Sequence, residues 1–378
     1  MKVPELILNH WQLILFAGFT VVTAAQLFYY FFFFVRLAFY KTAQKSNSQT
    51  HAVSVIVCAR DEAENLAMNL PALLVQKYGS THEILVVNDN SFDESKYILE
   101  AYQKKFKQLQ IVELTQEAKM INGKKYPLSV GIKTAKHEVV LLTDADCVPA
   151  SDTWIERMQD GYHEDTEIVL GYSAYHKQKG WLNKKIRWET FHTALQYLSY
   201  ALAGIPYMGV GRNLSYKKAV FFRHKGFSAH NKLASGDDDL FINMAATKKN
   251  TRIQIHPESF TLSKPPLDAK QWHTQKRRHY STASYYKPLH KFLLGTYSLT
   301  QFLFYPLCGL SMVFYNWQWG LILLGTKWLV QGIILYKSMK KLGESDLFGF
   351  YILFDLWMFF YYLRFAPALF KKPATGWK

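Results

Sequence analysis

The sequence predicts an α/β domain with a mostly parallel sheet, flanked on both sides by membrane-spanning α-helices. Three observations predict it. Short β-branched runs alternate with helical patterns between Val53 and Thr143, the order that parallel sheets produce. The stretch from Trp11 to Val35 holds no charged residue, which is enough for a helix to cross a hydrocarbon core of about 30 Å. From Phe292 onward the chain is apolar again. Composition agrees. With 378 residues, 49% of them hydrophobic and 20% charged, the chain is not intrinsically disordered, and its length allows two or three units. Cys58, Cys147 and Cys308 are too few and too scattered for a disulfide framework or a zinc knuckle.

The elements come in chain order. Residues 1–40 form an N-terminal transmembrane anchor. Its apolar run is longer than the roughly 7–15 residues of a signal-peptide core, so a retained anchor is favoured over a cleaved leader. Arg36, Lys41 and Lys45 come next, and the positive-inside rule puts the segment after them in the cytoplasm. Lys41–Thr50 is polar and reads as a linker. Strands are expected at Val53–Cys58, Glu83–Asn88, Gln110–Leu114 and Glu138–Thr143. Helices are expected between them at Asp61–Lys77, Asp93–Phe106 and Tyr126–Lys136. Continuous apolar strands such as VVLLT fit a sheet covered on both faces.

Trp181–Ala203 is long and aromatic, with Lys179, Lys184, Lys185 and Arg187 at its start. It is expected to lie in a membrane interface, with an ordinary core helix as the alternative. A basic segment, Lys270–Lys291, precedes the second apolar region. Spans are expected near Phe292–Tyr315 and Trp319–Leu335, joined by a short turn at Asn316–Gln318. The last apolar segment, Leu347–Leu369, carries Asp355 and Arg364 and is followed by Lys371, Lys372 and Lys378. Charges facing lipid cost about 3 kcal/mol each. A span, an interfacial segment and a return to the cytoplasm stand open there.

Lys and Arg number 45 against 29 Asp and Glu, a net charge of +16. Nucleic acid is the first suspect for a basic chain, but no recognition motif or clustered basic face is visible. The long apolar blocks point to a bilayer, whose cytoplasmic face gathers Lys and Arg.

Several stretches carry chemistry. The first strand runs into Ala59-Arg60-Asp61-Glu62. Acidic residues suit a helix N-terminus, but Ala59 and Glu62 would also sit at the carboxyl edge of the sheet, where open α/β sheets bind ligands. The second strand ends in Asn88-Asp89-Asn90-Ser91, residues that make turns and caps; Asp89 is also placed to accept hydrogen bonds from a nucleobase. The fourth ends in Asp144-Ala145-Asp146. In an extended segment these two carboxylates point to one side and repel unless a cation lies between them. Mg²⁺ or Mn²⁺ suits such oxygen ligands.

Gly123-Lys124-Lys125 offers a cation to a phosphate or is a plain basic turn; no Walker loop is present. Ser235-Gly236-Asp237-Asp238-Asp239 holds more acid than a helix cap needs, and one carboxylate there can serve as a general base. Gln275-Lys276-Arg277-Arg278-His279 is a headgroup-binding cluster or sets Arg278 on a diphosphate.

The order of these motifs is more specific than any one of them. The series ARDEAEN, VVNDNSFD, GKK, TDAD, GDDD and QKRRH resembles the family 2 glycosyltransferases with a GT-A fold. Within them it looks like the membrane-bound subset of cellulose, chitin, hyaluronan and poly-N-acetylglucosamine synthases and ceramide glucosyltransferase. The resemblance covers about Val53 to His279. It implies a Rossmann-like GT-A catalytic domain, with a nucleotide-sugar-binding half at 51–150, an acceptor-binding half with interfacial helices at 151–285, and a C-terminal transmembrane region at 292–370. Ala59, Glu62 and Asp89 would line a uridine site, and Lys124 would lie near the base or phosphate. Asp144 and Asp146 match the DxD motif, with Asp146 the direct metal ligand.

Asp238 matches the general base and Asp237 the acidic residue before it. Gln275 and Arg278 match the QxxRW motif. Gly209–Asn213 resembles the segment before the acceptor-binding part. Asn88, where an Asp is usual, and His279, where a Trp is usual, depart from the pattern, and the second puts processive synthesis in doubt. The expectation is therefore an inverting hexosyltransferase of the inner (plasma) membrane, multi-pass, with its catalytic domain cytoplasmic. It would use Mg²⁺ or Mn²⁺ and a nucleotide-sugar, a UDP-sugar first, on a lipid-linked or membrane-proximal glycan acceptor in polysaccharide or glycolipid biosynthesis. A processive polysaccharide synthase and a non-catalytic nucleotide-sugar-binding membrane subunit are the rivals.

Overall fold

The computed structural model describes residues 3–41, 51–115 and 123–367. The polar linker at 42–50 and the basic residues Lys371, Lys372 and Lys378 lie outside the described residues. The chain divides into two compact units, Met1–Tyr40 with Lys287–Phe370, and Lys41–Tyr286.

The second unit is built on a sheet whose first four strands are close to expectation: β1 Val53–Ala59, β2 His82–Asp89, β3 Leu109–Leu114 and β4 Val139–Asp144. They are parallel, in the order β3-β2-β1-β4. Helices Ala63–Leu74, Ser95–Gln103 and Lys125–Thr134 connect them. Every β1 residue is buried, as a strand covered on both faces requires. Gly131 lets the third helix come close: a Cβ there would meet Ile56 at 2.8 Å and Val87 at 3.0 Å.

Later residues extend this sheet and build a second, smaller one. They supply β5 Cys147–Pro149, β6 Ile168–Leu170, β7 Ser173–Tyr175, β8 Leu214–Lys217, β9 Thr251–Ile253 and β10 Thr261–Ser263. β8 lies antiparallel between β4 and β6, and β9 is next, parallel to β6. The remaining three form a small sheet, β5-β10-β7.

The helix Trp181–Leu202 corrects the interfacial expectation. Among its residues only Trp181 is exposed, and Arg187 and Glu189 are buried with the aromatics around them. A helix covered on all sides has no face for headgroups. Glu189 is drawn inward by Lys276 of the same unit.

The first unit holds four helices long and apolar enough to cross a membrane: His10–Ala38, Pro288–Phe314, Trp317–Lys341 and Ser345–Phe365. The expected turn is made by Asn316, whose Oδ1 accepts from the backbone N–H groups of Gln318 (2.9 Å) and Trp319 (3.2 Å), an N-cap. Asp355 faces inward. Lys327 Nζ lies 2.5 Å from its Oδ2, Gln301 and Gln331 donate to Oδ1 at 2.8 and 2.7 Å, and the Tyr305 hydroxyl donates to Oδ2. The charge that weighed against a helix in lipid is thus placed between helices, as intramembrane ionisable groups usually are.

Removing one partner of a buried pair leaves the other charge uncompensated and costs about 3–5 kcal/mol, whereas replacing both with apolar groups costs far less. Lys327→Met or Asp355→Leu alone is expected to lower the melting temperature in detergent clearly, and the double variant to recover most of the loss.

Candidate active site

The register fixes the site's floor. Ala59 stands opposite Asn88 on β2, and Cys58 stands opposite Asp144 on β4, so Ala59, Asp89 and Asp144 end neighbouring strands at one edge. The loops beyond β1 and β2 brace each other. The Asp61 N–H donates to Ser91 Oγ (2.9 Å), the Phe92 N–H to Asp61 Oδ1 (2.8 Å), the Glu62 N–H to Ser95 Oγ (3.2 Å) and the Ala63 N–H to Asp93 Oδ2 (2.9 Å). Glu62 accepts from Asn65 Nδ2 at 2.6 Å. Asn88 has a local reason to differ from Asp. Its amide donates to Glu113 Oε2 (2.8 Å) while its carbonyl accepts from Ser91 (2.5 Å). An Asp there would set a second negative charge against Glu113.

The two carboxylates after β4 are not on one extended segment, as the spacing suggested. The strand ends at Asp144, and Ala145–Asp146 form a turn into β5, pinned by Asn69 Nδ2 on the Ala145 carbonyl (2.9 Å). They still share one field. Burial opposes ionisation of Asp144, but Lys124, paired to its Oδ1, holds the carboxyl below the usual range. Burial and the charge of Asp144 push Asp146 up.

Gly123-Lys124-Lys125 joins this turn to the second acidic cluster. Gly123 has φ of +72°, and a Cβ there would collide with the Ala234 carbonyl oxygen, so only glycine fits. Lys124 reaches Asp144. Burial would lower its ammonium's pKa, but Asp144 holds it above the usual lysine range. Lys125 turns the other way and donates to the carbonyls of Leu233 (2.6 Å) and Ser235, which tethers the Gly236–Asp239 loop.

The three carboxylates of that loop differ. Asp238 caps the helix Asp239–Ala245; its Oδ1 accepts from the Asp239 N–H (2.7 Å) and its Oδ2 from the Gly211 N–H (2.8 Å). Burial, then the neighbouring Asp237 and Asp239 charges, raise its pKa to about 7, a range that suits a general base. Asp239 is buried and accepts from the Tyr286 hydroxyl (2.8 Å), the Leu240 N–H (2.7 Å) and the Thr282 hydroxyl. It thereby fastens the C-terminal end of the helix Ala269–Thr282.

That helix separates the basic cluster. Lys276 is buried in its pair with Glu189, Arg277 is exposed, and Arg278 acts on Asp144 through its charge. Gln275 exchanges hydrogen bonds with the Tyr175 hydroxyl at 3.3–3.4 Å. The structure therefore brings Lys124, Asp144, Asp146, Asp237, Asp238, Gln275 and Arg278 around one region, with Ala59, Glu62 and Asp89 on the adjoining strand ends. Sequence reasoning missed the separate duties of Lys125, Asp239 and Lys276. It also took Gly209–Asn213 only as a segment. Each of its last three residues has its own task, and the glycines flanking Val210 were the available signal.

Residues 54–228 match the sequence profile of Glycosyl transferase family 2. This segment is a family 2 glycosyltransferase domain. Asp237–Asp239 and Gln275–Arg278 lie beyond the matched residues. The probable glycosyltransferase YdaM of Bacillus subtilis (strain 168) is 25% identical over 242 residues, 60% of this chain and 54% of that protein. Glycosyltransferase AglE of Haloferax volcanii is 31% identical over 106 residues, 28% and 33% respectively. The chain thus spans about half or less of the length of these curated relatives. The mannosyltransferase PcManGT from Pyrobaculum calidifontis, solved with GDP-Man and Mn²⁺, is 18% identical with a TM-score of 0.57, covering 93% of this chain and 99% of that one. This likeness shows the GT-A fold.

A divalent cation fits the glycosyltransferase domain in one specific way. Among the described residues no group of three or more His, Cys, Asp or Glu could hold a metal. Asp144 and Asp146 offer only hard oxygen donors, and Lys124 already engages one oxygen of Asp144. Mg²⁺ sites of this kind use one or two carboxylates and take the rest from water and substrate phosphate.

The near-neutral Asp238 gives a pH prediction. A carboxyl whose folded pKa is raised contributes stability below its unfolded value near 4, and that stability is lost as pH rises through about 7. Asp238→Asn should therefore melt progressively higher than the parent as pH rises from 4 to 7, with the gap level above that. A gap that does not change with pH would show that Asp238 titrates normally.

Proposed function

We propose that the protein is a membrane-bound inverting hexosyltransferase. It moves a sugar from a nucleoside-diphosphate sugar, a UDP-sugar first among them, to a hydroxyl of a lipid-linked or membrane-proximal glycan. One observation carries the reading. The Asp238 carboxyl is gripped by two backbone N–H groups, in a loop that Lys125 and Gly123 hold against the turn leading, through Lys124, to Asp144. A base and an anion-binding region are thereby built side by side.

In this mechanism Asp238 takes the acceptor's hydroxyl proton as the oxygen attacks the anomeric carbon. The bond to the diphosphate breaks on the opposite face, and its electron pair leaves with the phosphate oxygen; one displacement inverts the centre. Asp144 and Asp146 would hold the Mg²⁺ or Mn²⁺, which supplies Lewis-acid neutralisation of the leaving group. Arg278 adds a guanidinium suited to phosphate oxygens. Ala59, Glu62 and Asp89 line the nucleoside end, and Gln275 faces the acceptor side. Four helices apolar enough for a bilayer support a multi-pass protein, and Arg36 and Lys41 at the end of the first one support a cytoplasmic catalytic unit in the plasma membrane.

The test is nucleotide release by detergent-solubilised protein from a panel of UDP- and GDP-sugars, with membrane lipid extract as the acceptor source. The second arm is chosen because PcManGT was solved with GDP-Man and Mn²⁺. Release from one donor is expected to need Mg²⁺ or Mn²⁺, to stop on chelation, and to fall about 10²–10⁴-fold in Asp238→Asn. It should vanish in Asp144→Asn/Asp146→Asn. Unchanged turnover in Asp238→Asn would sink the mechanism. A ladder of products in place of single additions would move the protein to the processive class.

A further inference from the structure

The three-residue stretch Gly211-Arg212-Asn213 leads into β8 at the site, and each residue does something different. Gly211 donates its N–H to the base, Asp238. Asn213 is fully buried and ties three segments together: its Oδ1 accepts from Trp154 Nε1 (3.2 Å), and its Nδ2 donates to the carbonyls of Tyr172 and Ser259 (2.8 Å each). Arg212 lies between these fixed points. Its carbonyl accepts from Thr261 Oγ1 (3.0 Å), its Nη1 donates to Ser263 Oγ (3.0 Å), and its guanidinium lies 4.5 Å from the centroid of the Tyr175 ring.

These partners locate the guanidinium. Ser263 on β10 stands opposite Cys147 on β5, the residue after Asp146, and opposite Tyr175 on β7. The small sheet β5-β10-β7 is thus a platform with the DxD turn at one side and the aromatic ring at the other. The arginine charge falls on both Asp144 and Asp146. The Tyr175 hydroxyl in turn meets Gln275, so the arginine's aromatic support belongs to the same contact chain as the Ala269–Thr282 helix. Among the described residues Arg212 forms no ion pair within 4 Å with a carboxylate. A planar fork stacked on a ring and held by one hydroxyl keeps other N–H groups for a bidentate anion.

We infer that Arg212 is a donor-binding residue, whose guanidinium takes the diphosphate of the nucleotide beside the DxD carboxylates while Tyr175 fixes its plane. This rests on the proposed function, and it adds a phosphate ligand contributed by the stretch that also positions the base. Through Gly211 and Arg212, one backbone stretch would set the distance between the proton acceptor and the leaving group.

Calorimetric binding of UDP and UMP, or GDP and GMP if the guanine series binds tighter, at saturating Mn²⁺ tests it without turnover. Arg212→Gln is expected to weaken diphosphate binding at least tenfold and monophosphate binding less than twofold. Arg212→Lys, which keeps the charge but loses the fork, should fall between. If Arg212→Gln and Arg212→Lys bind the diphosphate as the parent does, the inference is overturned. If mono- and diphosphate affinities fall together in both, Arg212 is structural and the inference is equally overturned. A parent protein that binds neither nucleoside diphosphate overturns the proposed function itself, which separates the two failures.

Discussion

Five carboxylates, Asp144, Asp146, Asp237, Asp238 and Asp239, are gathered on two turns, and their mutual repulsion is the constraint that the surrounding structure answers. Like charges held together in a buried region raise one another's pKa unless cations or N–H groups face them. The chain supplies these one by one: an ammonium for Asp144, backbone N–H groups for Asp238, two hydroxyls and an N–H for Asp239. Asp146 is left without an ion-pair partner among the described residues, and its pKa is pushed up by burial and by Asp144. The same arrangement raises the Asp238 carboxyl to about 7, so the means of holding the cluster together also tunes one of its acids.

Much of this was legible in the sequence. The four parallel strands could be read because apolar β-branched runs are a strong signal when both faces are covered. The acidic and basic motifs could be read because charged residues at strand ends have few structural reasons to be there. The order of the motifs carried the family, and the match over residues 54–228 agrees. The rest was not legible for physical reasons. Gln275-Lys276-Arg277-Arg278 looks like one cationic patch, but helical spacing sends Lys276 inward to Glu189 and Arg277 outward. Trp181–Leu202 looks amphipathic because of its charges, but Arg187 and Glu189 are buried and Glu189 pairs with Lys276 inside the unit. The short strands β5 to β10 have three or four residues each, below the length at which alternation can be seen. Asp355 looked foreign to a membrane segment because its partners come from two other helices.

The two units meet buried charge in different ways. In the second, Asp146 and Asp238 keep raised pKa values, so their charges remain only partly compensated. In the first, Asp355 meets an ammonium, two amides and a hydroxyl, so its acceptor positions are filled. A buried hydrogen-bonded network of this kind helps specify how helices pack.

The sheet order also bears on how the chain is made. β4 pairs with β8, whose residues are synthesised long after it, and β8 in turn pairs with β6. Until Leu214–Lys217 emerges from the ribosome, Val139–Asp144 is a naked, apolar edge strand of the type that recruits other chains. The nascent protein therefore passes through a stretch of synthesis in which its most aggregation-prone surface is open. A fragment ending after the first four strands would keep that edge open, because β4 would lack its β8 partner.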